Sequence, residues 1–243
     1  MSKLEILEVN GINYQVKVHY ENRKNSRASI GKKTVNIRIP LFLNREEQFR
    51  ELLKLKSWAK KKLDENLDKF NPEIQKKYEN KDILKIRDEE YRLNIQFKDK
   101  KSISARVIDN TIYLSIPNNL SEGSQNKHIS DLLSRCLASK RLPQLKEKIN
   151  ELNSKYFNKK IKNIFFKHNK SNWGSCSGYG NINISTRLLF APEDVLEYVC
   201  IHELAHLIEQ NHSKKFWGLV EKAMPNYKEK KQWLKVNGDN CRF

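Results

Sequence analysis

HELAHLIEQNH occupies residues 202–212 and gathers three of the chain's six histidines with one glutamate. It closes the longer run PEDVLEYVCIHELAHLIEQ (192–210), in which Val195, Leu196, Val199, Cys200, Ile201, Leu204, Ala205, Leu207 and Ile208 cover nearly every side of a helix. A helix that is apolar all round is a buried one. Pro192 suits a first helical position, and Glu193 and Asp194 suit the positive end of the dipole. The pattern predicts a single buried helix over 192–210. Polar residues in its middle then need a reason, because a buried carboxylate or imidazole without a partner is costly.

Metal binding supplies one. His202 and His206 are four apart and lie about 40° apart on the helix surface. Both rings can therefore reach one ion at about 2.0–2.1 Å. Glu203, next to the first ligand, can aim at a water in the ion's open position. H-E-x-x-H on a helix is the zinc-hydrolase arrangement for that reason. A third ligand is needed. His212 comes six residues after His206, so the chain must turn between them, and Asn211 is placed to stop the helix. Glu221 is the competing third ligand. The spacing H-E-x-x-H-x5-H equals that of metzincins, but Glu209 stands where they carry the turn glycine.

Upstream the chain is organised differently. YQVKVHY begins at Tyr14 and YRLNIQF at Tyr91, an offset of 77 that also carries TVNIRIP (34–40) onto TIYLSIP (111–117) without a gap. Val35, Ile37 and Ile39, like Ile112, Leu114 and Ile116, alternate as in a half-buried strand, and each proline closes its strand. Phe49, Leu52, Leu53, Leu55, Trp58, Ala59 and Leu63 recur at helical spacing, as do Ile129, Leu132, Leu133, Cys136 and Leu137. Each copy therefore reads as a small antiparallel sheet with a helix on it. The boundaries are 1–68 for the first unit, 69–82 for a polar connector, 83–141 for the second unit and 142–243 for the metal-binding domain. In that domain LPQLKEKINELNSKYF (142–157) reads as an amphipathic helix. Residues 161–167 and 181–189 read as strands around the loop HNKSNWGSCSGYG (168–180).

Composition narrows the rest. The 243 residues are 31% charged and 38% hydrophobic, with a net charge of +18 from 47 basic and 29 acidic side chains. No apolar run approaches the roughly 18 residues of a membrane span. The N-terminus, MSKLEILEVNG, lacks a signal-peptide pattern, so the default is a cytoplasmic protein. Cys136, Cys176, Cys200 and Cys241 form no C-x-x-C pair and read as reduced thiols. The charge favours encounters with nucleic acids or acidic proteins. Its lysines are nevertheless spread along solvated faces, and no zinc-finger, P-loop or RNA-binding signature accompanies them.

WGSCSGYGNINIS (173–185) followed by YVCIHELAHLIEQNHSKKFW (198–217) resembles the YgjP-like family of zincin metallopeptidases. The likeness runs from about Tyr14 to Leu234. It implies an α+β chain in which a zincin-like catalytic domain, with its HExxH helix and small antiparallel sheet, follows two repeated sheet-plus-helix units. It implies Zn2+ bound by His202, His206 and His212, with Glu203 as catalytic base, and kinship with SprT-like proteases that act near DNA. The family usually carries a basic residue before Trp-Gly-Ser-Cys, where this chain has Asn172. Trp173, Cys176, Phe216 and Trp217 read as packing around the site. Met224-Pro225 is a candidate Met-turn, Tyr227 a core or surface tyrosine, and His19, His128 and His168 are surface histidines.

The expected activity is a zinc-dependent peptidase with a polypeptide substrate. Asn181, Asn183 and Ser185 are the expected substrate-binding residues, on a strand whose free edge an extended peptide would join. Two alternatives stand beside it: a metal-dependent hydrolase of nucleotide phosphoanhydrides, and a nucleic-acid-binding protein with a structural zinc.

Overall fold

The computed structural model describes residues 4–31, 33–65, 77–99, 102–169 and 172–243. The chain divides into two compact units, residues 1–76 and 77–243. Most of the connector read from the sequence, residues 69–76, lies outside the described residues.

The first unit is a four-stranded sheet under one helix. Its strands are β1 (Leu4–Val9), β2 (Ile12–Glu21), β3 (Arg27–Ile30) and β4 (Thr34–Pro40), in the order β1-β2-β4-β3. Asn10 and Gly11, both at positive φ, make the tight turn between β1 and β2. The helix α1 (Arg45–Asp64) opens on a capping box: Asn44 accepts from the Glu47 amide, and the Glu47 carboxylate accepts from the Asn44 amide. Tyr14, Val16, Val35, Ile37 and Ile39 meet Leu52, Ala59 and Leu63 in one core. Phe49, Leu53 and Trp58, read as core from helical spacing, are exposed. The 20-residue helix has more apolar positions than one sheet face can cover.

The second unit opens on the same design. Strands β5 (Ile83–Ile86), β6 (Glu89–Lys98), β7 (Ser104–Ile108) and β8 (Thr111–Pro117) have the order β5-β6-β8-β7. Thr34–Pro40 and Thr111–Pro117 are equivalent strands with the same alternation of burial. Even the register repeats, Gln15 facing Thr34 and Arg92 facing Thr111. The expectation of purely antiparallel sheets is corrected, because β2–β4 and β6–β8 are parallel pairs. In each copy the third strand turns back on the far side and leaves the fourth to slot between. Period-2 alternation reports which face is buried, not the direction of the neighbour.

The second copy's helix, α2, runs 31 residues from Glu122 to Leu152, across the 141/142 boundary and through Pro143. Proline inside a helix removes a hydrogen bond. Burial at both ends offsets that loss. Ile129, Leu132, Leu133 and Leu137 pack on the second sheet, while Leu145, Ile149 and Leu152 enter the next core.

That core is the floor of the site. Strands β9 (Asn163–Lys167), β10 (Gly174–Cys176) and β11 (Asn181–Ser185) form a sheet in the order β10-β11-β9. Helices α3 (Glu193–Ala205), α4 (Lys214–Ala223) and α5 (Tyr227–Asn237) complete the unit. Ile182 and Ile184 lie in the same core as Leu196, Val199, Cys200 and Ile201. This sheet is mixed as well, β11 running parallel to β9 and antiparallel to β10. The segment read as a loop over 168–180 contains β10, too short to announce itself by periodicity. The strand read over 181–189 stops at Ser185 and gives way to a 3-10 turn, Thr186–Phe190. Among the described residues, no helix is long and apolar enough to cross a membrane.

Candidate metal centre

The metal helix is shorter than its apolar pattern. Pro192 is the N-cap, and α3 ends at Ala205 with His206 as C-cap. The amides of Leu207 and Ile208 then bond back to Leu204 O and Ala205 O, three residues earlier. The turn that brings His212 round is thus made at 206–209, earlier than the Asn211 stop read from the sequence. Neither Glu209 nor Asn211 has positive φ, so the turn needs no glycine here. Gln210 Nε2 holds it by donating to His206 O at 2.5 Å.

His212 immediately precedes Ser213, whose hydroxyl caps α4 by accepting from the Phe216 amide at 3.3 Å. The cap therefore fixes His212 relative to Phe216, which is wholly buried. The Phe216 ring lies 4.9 Å from His202, 4.5 Å from His206 and 4.7 Å from His212, centroid to centroid. It is the apolar base on which all three imidazoles rest.

His202, His206 and His212 each offer a ring nitrogen within 4.8 Å of the others. His202 Nε2 and His212 Nε2 are 3.1 Å apart. Two nitrogens sharing a tetrahedral ion at zinc–imidazole bond lengths would be about 3.3 Å apart. His206 Nδ1 lies 3.1 Å from Glu209 O, a contact in which the ring donates and Nε2 keeps its lone pair. Burial, followed by His206, His212 and Lys231, pulls His202 down to about 3, and burial also lowers His206. Both rings are neutral at pH 7, as ligands must be. On all these counts the donor set fits a zinc ion. Glu221 is not brought to the group; its carboxylate is exposed and lies 3.9 Å from Lys228 Nζ.

Glu203 is 5% exposed and lines the same cavity as the three histidines. Burial pushes its carboxyl up to about 8. The cavity, about 660 Å³, has a wall in β10, and one feature of that wall is sterically decisive. A Cβ on Gly174 would lie 2.4 Å from Glu203 Oε1 and 2.7 Å from its Cγ. Only glycine lets this strand pass so close to the carboxylate. The glycine of the Trp-Gly-Ser-Cys segment and the glutamate of the helix are one steric unit.

A protein-family model, "YgjP-like, metallopeptidase domain", matches residues 24–237. The chain belongs to the YgjP-like metallopeptidase family. Two solved structures are also similar to this YgjP-like chain. One is the metallopeptidase zymogen of Pyrococcus abyssi abylysin, at 26% identity over 37% of this chain and 91% of that one, with a TM-score of 0.35. The other is the metallopeptidase zymogen of Methanocaldococcus jannaschii jannalysin, at 23% identity over 37% and 93%, with a TM-score of 0.34. No curated protein matches.

The expected free edge on Asn181–Ser185 is corrected in this YgjP-like metallopeptidase. β11 is the central strand, paired with β9 along its whole length and with β10 over Ile182–Ile184. Its polar side chains serve the sheet: Asn181 Oδ1 accepts from Asn163 Nδ2 at 2.9 Å, and Asn183 Nδ2 donates to Ser175 Oγ at 3.2 Å. Ser185 is wholly buried. The edge of this sheet nearest Glu203 is β10.

Trp173 and Cys176 line the cavity, and Asn172 Nδ2 donates to Gly174 O at 2.9 Å. Trp173 is clamped between the Arg187 guanidinium, 4.1 Å above its ring, and Gly238, where a Cβ would come within 2.5 Å of the indole. Arg187 also donates to Cys241 O at 2.8 Å and to Gly238 O at 2.5 Å, tying the C-terminal turn to the site wall. Tyr227 is a core tyrosine stacked on Trp217, and Met224 is buried in the same core. His168 is not a free surface histidine, since its Nδ1 lies 2.8 Å from the buried Ser134 hydroxyl.

Sequence reasoning missed Tyr198, Lys231 and Lys235, all cavity residues. Tyr198 had a signal, standing four residues before His202 and so on the same helical face. The two lysines had none.

Proposed function

We propose that this chain is a zinc-dependent peptidase in which His202, His206 and His212 hold the ion and Glu203 is the general base. The observation that carries the reading is the convergence of three imidazoles and a buried carboxylate on one cavity. Bound there, zinc would bring the pKa of a water toward about 7, polarise a substrate carbonyl and draw the nearby carboxyl into its ionised form. Glu203 takes the proton from the attacking water at a carboxylate oxygen and returns it to the leaving amine. Phe216 and the Ser213 cap keep the three rings in place, and the apolar floor excludes bulk water. Among the described residues the group has three donors rather than four, which supports a catalytic over a structural site.

β10 supplies the strand edge for substrate. An extended peptide paired with Gly174–Cys176 would lie along the cavity wall beside Glu203, bound through main-chain groups that demand little of sequence. The two sheet-plus-helix units, parsed as 1–68 and 83–141, act as scaffold or as substrate-recruiting surfaces for the segment 142–243.

The test is Glu203→Gln on the zinc-loaded protein. The amide keeps size and metal but cannot take a proton, so one zinc per chain is retained while turnover of a cleavable peptide falls at least about a thousandfold. An unchanged rate would remove Glu203 from the chemistry.

A further inference from the structure

Helix α5 carries four lysines that fall into two kinds. Lys230 Nζ lies 2.7 Å from Asp194 and Lys228 Nζ lies 3.9 Å from Glu221, so each has a carboxylate partner. Lys231 and Lys235, one turn apart, line the cavity of the metal centre instead, and among the described residues neither has a carboxylate within ion-pair distance. Lys231 is not a loose surface chain. Its ammonium is held 4.6 Å over the Trp217 ring, which stacks on Tyr227 at 5.3 Å and lies 5.8 Å from both His202 and His212. The cavity lining contains one carboxylate, Glu203, which is buried and has no cation paired with it among the described residues. The cavity thus presents two open cations beside a centre that a metal ion would make more positive still.

We propose that Lys231 and Lys235 select substrates carrying an acidic side chain beside the bond to be cut. The assignment rests on the peptidase reading and names the class of peptide that it serves. An aspartate or glutamate two or three residues from the scissile carbonyl supplies the missing partner of Lys231, while the extended backbone pairs with β10. The long stem of Lys235 adds a second exposed cation at the same rim. A lysine in that substrate position meets like charge, and its exclusion is as much a part of selectivity as the attraction of the acid.

The experiment uses the full-length, zinc-loaded chain and a panel of fluorogenic peptides identical except next to the cleavage site. These bear Glu, Gln or Lys, and ATP hydrolysis is measured in parallel. The wild type is expected to favour Glu over Gln by about threefold to fivefold in kcat/KM at low salt, mainly through KM, with the preference shrinking as salt is added. Lys231→Gln with Lys235→Gln should bring the Glu:Gln ratio close to one while the Gln peptide is cut as before. Lys231→Glu should turn the preference toward the Lys peptide. Lys228→Ala, whose partner lies outside the cavity, should keep the wild-type ratio. Equal cleavage of Glu and Gln peptides by the wild type, or a preference that survives in the double variant, overturns the assignment and leaves the peptidase reading standing. Loss of all peptides equally in the double variant reduces Lys231 to a packing residue on Trp217 and also overturns it. ATP hydrolysis with no peptide cleaved overturns both readings together.

Discussion

Replacing Gly174 with alanine tests the closest contact in the site. The new methyl would meet Glu203 Oε1 at 2.4 Å, whereas ordinary contact begins near 3.4 Å, so the carboxylate must retreat by about 1 Å. Relief by moving the strand is opposed by the ladder on one side, where Gly174 faces Ile184 and Ser185 N donates to Trp173 O at 2.8 Å. The side chain therefore gives way. A displacement of about 1 Å in a catalytic group costs on the order of a hundredfold in rate. The overpacking itself costs about 1–3 kcal/mol of stability. The three histidines stand on other residues, so zinc content should hold at the wild-type value. Peptide kcat, zinc by atomic absorption and thermal melting read the three effects separately. Gly178→Ala is the matched control, because no atom lies within 4 Å of its Cβ position. A Gly174→Ala enzyme with wild-type kcat would refute the steric coupling of β10 to Glu203.

Four further outcomes follow from the same geometry. His202→Ala, His206→Ala and His212→Ala should each lower zinc stoichiometry, measured by inductively coupled plasma spectrometry, whereas Glu221→Ala should leave it intact. Phe216→Ala should cost about 3–5 kcal/mol by denaturant titration and weaken zinc binding, because the three rings lose their common base. Gly238→Ala should displace Trp173, read as a red-shifted, more exposed tryptophan emission together with a raised peptide KM. In the metal-free protein two proton linkages oppose each other: the raised Glu203 carboxyl regains stability as pH falls below about 8, and His202 loses it. His202 has a folded pKa of about 3 against 6.5 for an unperturbed ring. Between those values the unfolded chain binds a proton that the fold excludes, so the His202 contribution rises with pH through that window and drains away on acidification. Melting of apo Glu203→Gln from pH 7 to pH 4, with the opposing carboxyl removed, should show this slope, and adding His202→Asn should flatten it.

The convergence of the three histidines was legible because their spacing is local. His202 and His206 share a helical face by arithmetic, and Ser213 and Phe216 follow in a run whose helix start can be read off. Duplication was legible too, since an offset of 77 keeps every strand of the second unit in register with the first. Direction was not. Alternating residues are the same for a strand with parallel or antiparallel neighbours, so the inserted β4 and β8 left no trace. The substrate edge was misplaced for a related reason. Three residues, Gly174–Cys176, carry no usable period, yet they cover the very edge that Asn181–Ser185 was expected to expose. Lys231 and Lys235 were hidden among the chain's 47 basic residues, and only the distribution of their carboxylate partners separates them from the rest.

Helix α2 gives the two copies of the duplicated unit unequal fates. At about 1.5 Å per residue its 31 residues span roughly 46 Å, one half clamped to the second sheet and the other sunk beneath the metal centre. A cut between residues 76 and 77 severs no described strand or helix, and each core keeps all its members on one side. A cut between 141 and 142 breaks α2 in mid-run and strips Leu145, Ile149 and Leu152 of the helix that delivers them. The first copy therefore keeps its described elements and its core to itself. The second has become a keel: once a duplicate, now a member on which the hull of the active site is laid, and no longer free to be swapped out.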